Sequence, residues 1–305
     1  MKLSIATSQF PVSADIHENK ENILGQMSLA KERGCNIIHF PEGSLSGYAG
    51  IDFSSFDGYN WVLLKESMLG VINAARQLSI WVVLGSSHQL TGSNKPHNSL
   101  YIITADGNIE DRYDKLFCAG NDSESQDDLA HYSSGNHFTL FVINGVKCGT
   151  LICHDFRYPE LYRELKKHGV QLVFHSYHAG NIDEARRTFM ESQVGDVYFN
   201  LNPGRTIPEI TMPASMISYA ANNHVWISCS NTSAADSCFA SFMVRPDGVI
   251  TGRLEKHQPG ILVTEIDFEQ PFYDSTKYWR NRAISGIYHS GSEISDPRSQ
   301  KRQEL

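Results

Sequence analysis

Residues 149–163 read GTLICHDFRYPELYR, an apolar run followed by a turn and an amphipathic segment. The run up to Ile152 predicts a buried strand, and Pro159 at the start of the amphipathic part predicts a helix over 159–168. Cys153 then lies on a strand-to-helix turn, where backbone N–H groups favour a thiolate and stabilise an oxyanion. A thiol there suits nucleophilic catalysis, although a cysteine at the end of an apolar strand is also an ordinary core residue.

The sequence on both sides of this block alternates between short apolar runs and helical patterns. Turn signals occur at Asp106-Gly107, Asn144-Gly145 and Asp247-Gly248. Helices are predicted over 17–33, 60–78, 159–168 and 212–223, with a short one over 183–194. Strands are predicted over 3–10, 35–40, 80–86, 98–104, 108–113, 138–143, 146–153, 170–174, 225–230, 239–245 and 260–266. Hairpins and crossovers together indicate an α/β fold in which helix layers cover a mixed sheet.

The chain contains no Pro- or Ser-rich linker that would divide it. We therefore expect a single domain over residues 1–290, followed by a polar C-terminal tail over 291–305. The polar connection over 179–211 is long for a compact domain, which is typical of a functional or mobile segment.

Composition excludes several classes of function. The net charge is −8 and the basic residues are scattered, so no nucleic-acid partner is predicted. No apolar run reaches the ~20 residues that span a bilayer, so no membrane partner is predicted either. The N-terminal residues lack the pattern of a signal peptide, which predicts a cytoplasmic protein. The six cysteines include no CxxC pair, so they are expected to be reduced thiols without a structural zinc site.

Two more polar residues stand at the ends of predicted strands. Glu42 follows a buried strand that Pro41 ends, and Lys115 follows the strand over 108–113. A carboxylate near Cys153 could take the thiol proton, and an ammonium could hold negative charge, as acyl transfer through a thioester requires. Taken singly, Glu42 is also typical of a loop carboxylate or helix cap, and Lys115 of a solvated lysine. Spacing alone does not show that the residues converge, so this reasoning ends at a possible α/β cysteine hydrolase.

A metal site built from Cys153, His154 and Asp155 is a weaker alternative. Side chains of adjacent residues on an extended segment point apart and chelate one ion poorly. No metal ion and no organic cofactor is predicted.

The chain resembles the carbon–nitrogen hydrolase (nitrilase) superfamily over nearly its whole length. The shared motifs are collinear: Gln9 in the first strand, FPEGSLSGY, RYDKLF, the CxDxRxPE block at Cys153, Asn231, SFMVRPDG and GILVTEIDF. The resemblance implies a four-layer α-β-β-α sandwich with mixed sheets that assembles as a homodimer or a higher homo-oligomer. It also implies a site that needs no cofactor.

The resemblance assigns roles to the three residues. Cys153 would be the nucleophile, Glu42 the general base, and Lys115 the group that stabilises the tetrahedral intermediate. The backbone N–H of His154 would help at the oxyanion, and the His154 side chain would form part of the pocket wall. Water activated by Glu42 would then hydrolyse the thioester.

The chain departs from the family pattern at several positions. Members often carry a second glutamate between the lysine and the cysteine; here Asp128 takes that place, or Glu124 if the loop shifts. Residues 218–223 read SYAANN where the family tends to have Ala-Arg-Ala-x-Glu-Asn. The link from Cys153 to the helix that contains them is longer than in the compact amidases, and the extra length falls at 179–211, after FHSYHAG, where family members commonly shape the acyl pocket. The predicted substrate contacts are Tyr48, His175, Tyr177 and His178.

The residues after the nucleophile indicate the branch. Nitrile-cleaving members typically have Trp-Glu directly after the cysteine, whereas this chain has His154-Asp155, as on the amidase and carbamoylase side. We therefore expect hydrolysis of a small amide or N-carbamoyl compound. Nitrile hydrolysis by the same triad, or a catalytically silent binding protein on this fold, are the alternatives.

Overall fold

The computed structural model describes residues 1–303. The polar tail predicted over 291–305 therefore ends outside the described residues, at positions 304 and 305. Its described part is exposed and contains one short helix, Pro297–Gln300.

Within residues 1–303, the strands form two six-stranded sheets. Their bounds are β1 Lys2–Gln9, β2 Ile37–His39, β3 Trp81–His88, β4 His97–Ile103, β5 Ile109–Asp114, β6 Leu140–Ile143, β7 Val146–Ile152, β8 Leu172–Ser176, β9 Trp226–Ser230, β10 Phe242–Val244, β11 Ile250–Arg253 and β12 Gly260–Asp267. The orders are β12-β1-β2-β3-β4-β5 and β11-β10-β9-β8-β7-β6. Both sheets are mixed, because β1-β2-β3 and β7-β8-β9 pair in parallel while the outer pairs are antiparallel.

Helices cover the outer face of each sheet. Their bounds are α1 Ile16–Glu32, α2 Trp61–Leu78, α3 Asp127–His131, α4 Pro159–Lys167, α5 Glu184–Val194, α6 Ile207–Asn223, α7 Arg280–Ile284 and α8 Pro297–Gln300. Apolar residues of α1 and α2 share one core cluster with Ile38 and Val82 of the first sheet. Those of α4 and α6 share another with Leu172 and Ile227 of the second sheet.

The inner faces of the two sheets pack against each other. Ile5 and Leu100 from the first sheet lie in the same core cluster as Phe141 and Val173 from the second. The layers therefore run helix, sheet, sheet, helix, and the predicted four-layer α-β-β-α sandwich with mixed sheets is confirmed.

A buried polar seam, formed by His39, Ser176 and Ser228, connects the two sheets. The imidazole of His39 contacts the Ser228 hydroxyl through Nδ1 at 2.9 Å and the Ser176 hydroxyl through Nε2 at 2.8 Å. Burial lowers the pKa of His39 well below its usual value, which keeps the ring uncharged. Because β2, β7 and β8 end near this seam, the residues that follow these strands are brought together.

Some element bounds differ from the prediction for identifiable reasons. Helix α6 begins at Ile207, not near 212, because Thr206 and Glu209 form a capping box and Pro208 lies in the first turn. The short strand β11 after the Asp247-Gly248 turn was not predicted, because its ITGR sequence lacks an apolar run. Helix α5 agrees with the short helix predicted over 183–194. No helix within residues 1–303 is both long enough and apolar enough to cross a membrane.

Candidate active site

Cys153 follows β7 directly and opens a short 3-10 helix, Cys153–Arg157. Its φ is +39°, in the left-handed region that non-glycine residues adopt at a cost. The Asp155 carboxylate holds this turn: Oδ2 accepts from the Ile152 N–H at 2.9 Å and the Tyr113 hydroxyl at 2.8 Å, and Oδ1 accepts from the Phe117 N–H at 2.9 Å. Burial raises the pKa of Asp155 to about 6 despite these donors. The strain and the anchoring carboxylate together fix the position of the thiol.

His175 lies against the backbone of Cys153, and Tyr177 lies against His175. His175 Nε2 contacts the Cys153 carbonyl oxygen at 3.1 Å, and its Nδ1 lies 2.5 Å from the Tyr162 hydroxyl. Tyr177 stacks on the His175 ring with centroids 4.4 Å apart. Burial lowers the pKa of His175 to about 3, so the ring is neutral. Both ring nitrogens of His175 thus already have protein partners, and the substrate contacts predicted for His175 and Tyr177 stay predictions.

Lys115 is the centre of a buried charge cluster. Its Nζ lies 2.9 Å from Glu42 Oε1 and 2.9 Å from Asp128 Oδ2, and only 1% of the lysine side chain is exposed. Burial disfavours the ammonium, but the carboxylates of Asp128 and Glu42 outweigh it and raise the pKa of Lys115 well above its usual value. Lys115 is therefore a buried cation whose charge acts on the Cys153 thiol.

Asp128 completes the cluster on the other side of Lys115. Its Oδ1 accepts from the Tyr48 hydroxyl at 2.6 Å, and its Oδ2 accepts from the Ala119 N–H at 2.7 Å. Burial favours the neutral acid, yet Lys115 and these donors hold the pKa of Asp128 below its usual range. Of the two acidic residues considered for this place, Asp128 contacts Lys115, whereas Glu124 is exposed and offers only its backbone carbonyl to Lys95.

Glu42 is buried, and its two carboxylate oxygens differ in their hydrogen bonding. Oε1 accepts from Lys115 and from Asn98 Nδ2, the latter at 2.8 Å, and the Glu42 N–H donates to the Tyr177 carbonyl at 3.2 Å. Among the described residues, Oε2 has no hydrogen-bond partner. Burial and the negative charge of Glu42 raise the pKa of the Cys153 thiol well above its usual value. The resting Cys153 side chain is therefore a thiol, and Glu42 Oε2 is an acceptor without a partner among the described residues.

His154 and His178 pack against different tyrosines. The His154 ring packs edge-on against Tyr158 with centroids 5.9 Å apart, and burial followed by the Lys115 charge lowers its pKa. His178 is buried and contacts Asp52 through Nε2 at 2.9 Å, while its ring lies 5.1 Å from that of Tyr48. The structure therefore brings His178 into contact with a Tyr48 that also bonds Lys115.

Sequence reasoning missed three polar residues that shape the site. Asn98 orients Glu42, Asp155 anchors the cysteine turn, and Asp52 holds His178. Asp155 had a signal, since it belongs to the CxDxRxPE block, but neither the metal alternative nor the assignment of the branch predicts its hydrogen bonds in the cysteine turn. Within residues 1–303, no group of three or more His, Cys, Asp or Glu side chains is placed to hold a metal ion.

Two of the curated proteins that this chain is similar to are named as amidases. An (R)-stereoselective amidase of Pseudomonas sp is 31% identical over 153 residues, 48% of this chain and 49% of that relative. An N-carbamoylputrescine amidase of Solanum tuberosum is 22% identical over 276 residues, 88% of this chain and 87% of the relative. The chain spans about half the length of some of the curated relatives that it matches.

The fold matches solved structures over nearly the whole chain. The amidase of Nesterenkonia sp. AN1, from the nitrilase superfamily, superposes with a TM-score of 0.68 at 18% identity, over 93% of this chain and 95% of the other. At this identity the likeness shows the fold alone. The sequence model of the carbon–nitrogen hydrolase family matches residues 4–271. The chain therefore belongs to the carbon–nitrogen hydrolase family.

Proposed function

We propose that this chain is an amidase in which Cys153 attacks a non-peptide C–N bond of a small amide or N-carbamoyl compound. The observation that carries the proposal is the buried cluster in which Lys115 bridges Glu42 and Asp128, with Glu42 Oε2 open beside a protonated thiol. A buried ion pair adds little stability on its own, so chemistry explains this cluster better than folding does.

In the first half-reaction, Cys153 Sγ bonds to the substrate carbonyl carbon and its proton passes to Glu42 Oε2. Lys115 Nζ and the His154 backbone N–H stabilise the negative charge on the carbonyl oxygen. The C–N bond then breaks, and the nitrogen takes the proton from Glu42 as ammonia or an amine leaves. A thioester on Cys153 remains.

In the second half-reaction, water replaces the departed amine. Glu42 takes a proton from this water, and the hydroxide adds to the thioester carbonyl, where Lys115 again faces the oxyanion. The C–S bond breaks, and the thiolate recovers the proton from Glu42. The acid product leaves, and the net change is the addition of one water across the C–N bond.

The enclosure of the site and the identity of the relatives support a small substrate. Glu42, Tyr48, Lys115 and Asp128 are all less than a tenth exposed. Two of the relatives are named as an amidase that is (R)-stereoselective and an N-carbamoylputrescine amidase. We therefore favour amides and N-carbamoyl compounds over nitriles.

The test is ammonia release across amides, ureas, N-carbamoyl compounds and nitriles, with intact mass recorded alongside. We expect release from amides or N-carbamoyl compounds, and a mass adduct that is absent in Cys153→Ala. Cys118→Ala is the matched control, because Cys118 is the other partly exposed thiol in the described part of the chain. Release from nitriles alone would replace the proposal with nitrile hydrolysis. A folded protein without turnover, adduct or preferential thiol labelling at Cys153 would instead indicate a silent binding protein.

We also infer a homodimer or higher homo-oligomer, as the family resemblance implies, and a cytoplasmic location. Exposed aromatic side chains near the C-terminus, Tyr273, Tyr278, Trp279 and Tyr288, offer apolar surface for self-association. Light scattering after size exclusion tests the dimer, and cell fractionation tests the location.

A further inference from the structure

His178 forms a buried pair with Asp52 at the edge of the catalytic cluster. Nε2 lies 2.9 Å from Asp52 Oδ2, and the two side chains are 0% and 1% exposed. Asp52 also accepts from the Tyr48 N–H at 2.8 Å and from the Asn181 side-chain amide. Because a carboxylate only accepts, Nε2 must carry a proton, and the orientation of the ring is fixed.

The other ring nitrogen of His178 lacks a partner. None of residues 1–303 forms a hydrogen bond with Nδ1, although the atom is buried. The Tyr177 hydroxyl and Glu42 Oε2 share this condition. A buried polar atom left unpaired costs about 1–3 kcal/mol, and such atoms are rare in folded proteins. Two of them, on Glu42 and His178, belong to residues that act on Cys153, and they indicate a site built to receive polar atoms of a ligand.

Several contacts place His178 beside the reacting atoms. Its backbone N–H interacts with the Cys153 sulfur and favours the thiolate. Its ring lies against Tyr48, whose hydroxyl is 3.2 Å from Lys115 Nζ. A substrate bonded to Cys153 therefore lies within the reach of the His178 side chain.

We propose that His178 is a specificity-determining residue whose Nδ1 donates a hydrogen bond to a neutral oxygen of the substrate other than the scissile carbonyl. This inference rests on the proposed function and narrows it to amides that carry a hydroxyl or second carbonyl near the scissile bond. An aliphatic amide of the same size leaves Nδ1 unpaired and binds more weakly.

The charges around His178 determine the direction of the hydrogen bond. Asp52, Glu42 and Asp128 supply three carboxylates against the single ammonium of Lys115. Burial lowers the pKa of His178, but Asp52 and Glu42 outweigh burial and raise it, which favours the imidazolium with Nδ1 as a donor. The carboxylates still outnumber the two cations, so a neutral oxygen fits this place better than a carboxylate does.

The test measures binding of matched amides to Cys153→Ala, which binds without turnover. The pairs are glycolamide with propionamide and malonamide with butyramide, each an oxygen-bearing amide and an aliphatic one of similar size. We expect the oxygen-bearing member of at least one pair to bind about tenfold more tightly. Equal binding within both pairs, or no binding of the oxygen-bearing members, would overturn the inference.

Two substitutions of His178 separate recognition from a structural role. The glutamine side chain in His178→Gln reaches the place of Nε2 and keeps the contact with Asp52, but it removes Nδ1. The asparagine in His178→Asn places an amide near Nδ1 and gives up Asp52. We expect His178→Gln to fold and to lose the tenfold preference, which His178→Asn retains in part. A preference that survives in His178→Gln would show that the pair is only structural.

The outcome is distinguishable from failure of the proposed function. Ammonia release and labelling of Cys153 in the wild-type chain report on catalysis, whereas the binding preference in Cys153→Ala reports on His178 alone. A chain that prefers malonamide but hydrolyses nothing would refute the first proposal and leave the second standing.

Discussion

Asp128→Asn is the sharpest test of the charge cluster, because it changes one atom in an otherwise preserved shape. The asparagine Oδ1 still accepts from the Tyr48 hydroxyl. Its Nδ2, however, would face two donors, Lys115 Nζ at 2.9 Å and the Ala119 N–H at 2.7 Å. The substitution therefore removes an ion pair and turns an acceptor into a donor.

The structure sets the expected magnitude. Removing one partner of a buried ion pair costs about 3–5 kcal/mol. Lys115 keeps Glu42 as a second partner, so we expect a loss near the lower end, about 3 kcal/mol of unfolding free energy. Lys115 also loses the carboxylate that positions it opposite Glu42. A shift of its ammonium by about an ångström lowers kcat/KM about 100-fold.

Urea denaturation measures the stability change, and ammonia release measures the rate. Glu124→Gln is the matched control, since it removes a carboxylate from the same loop at an exposed position and should leave both quantities unchanged. If Asp128→Asn matched the wild type in stability and rate, Lys115 would not depend on Asp128. If Glu124→Gln lost activity instead, the loop would adopt another arrangement in solution.

Three other substitutions test the remaining parts of the site. Glu42→Gln should lower turnover about 1000-fold. Because the charge of Glu42 raises the thiol pKa, the same substitution should speed iodoacetamide labelling of Cys153 near neutral pH. Slower labelling would contradict this effect of Glu42 on the thiol. Asn98→Ala removes the donor that orients Glu42 and should lower kcat/KM about tenfold with KM nearly unchanged, which steady-state kinetics measures. Asp52→Asn tests the pair with His178, whose raised folded-state pKa contributes stability that is present below pH 6.5 and is lost as the pH rises through that pKa. The free energy of unfolding in urea should therefore differ less between about pH 6 and about pH 9 in Asp52→Asn than in the wild type. An equal difference in the two proteins would contradict a charged pair of His178 and Asp52.

The fold was predictable because its signals are local and repeated. Apolar runs such as those in β3 and β8 end at turns that the sequence marks, and the helices between them carry amphipathic patterns. The arrangement of the strands in two packed sheets was predicted from the family resemblance, since the sequence of a strand does not indicate which sheet the strand joins. β11 was missed because its half-exposed ITGR sequence lacks an apolar run.

The candidate site was predictable only as residue types at strand ends. Glu42, Lys115 and Cys153 could be named because each follows a recognisable strand. Asn98 and Asp52 carry no such signal, since an amide near a strand start and an aspartate in a loop are common. Their partners, Glu42 and His178, lie 56 and 126 positions away in the chain. Only the folded backbone brings them within hydrogen-bonding distance.

Asp128 shows why spacing alone could not predict the geometry of the cluster. An aspartate is one methylene shorter than the family's glutamate, so at a fixed backbone it would stop about an ångström short of Lys115. In the structure, however, the Asp128 carboxylate contacts Lys115 at 2.9 Å. The Ala119 N–H bonds the carboxylate, and the Asp128 N–H bonds the Ala119 carbonyl at 3.2 Å. These two bonds hold the short side chain against Lys115, and because they depend on the backbone of residues 119 and 128, the identity of residue 128 alone does not predict the contact.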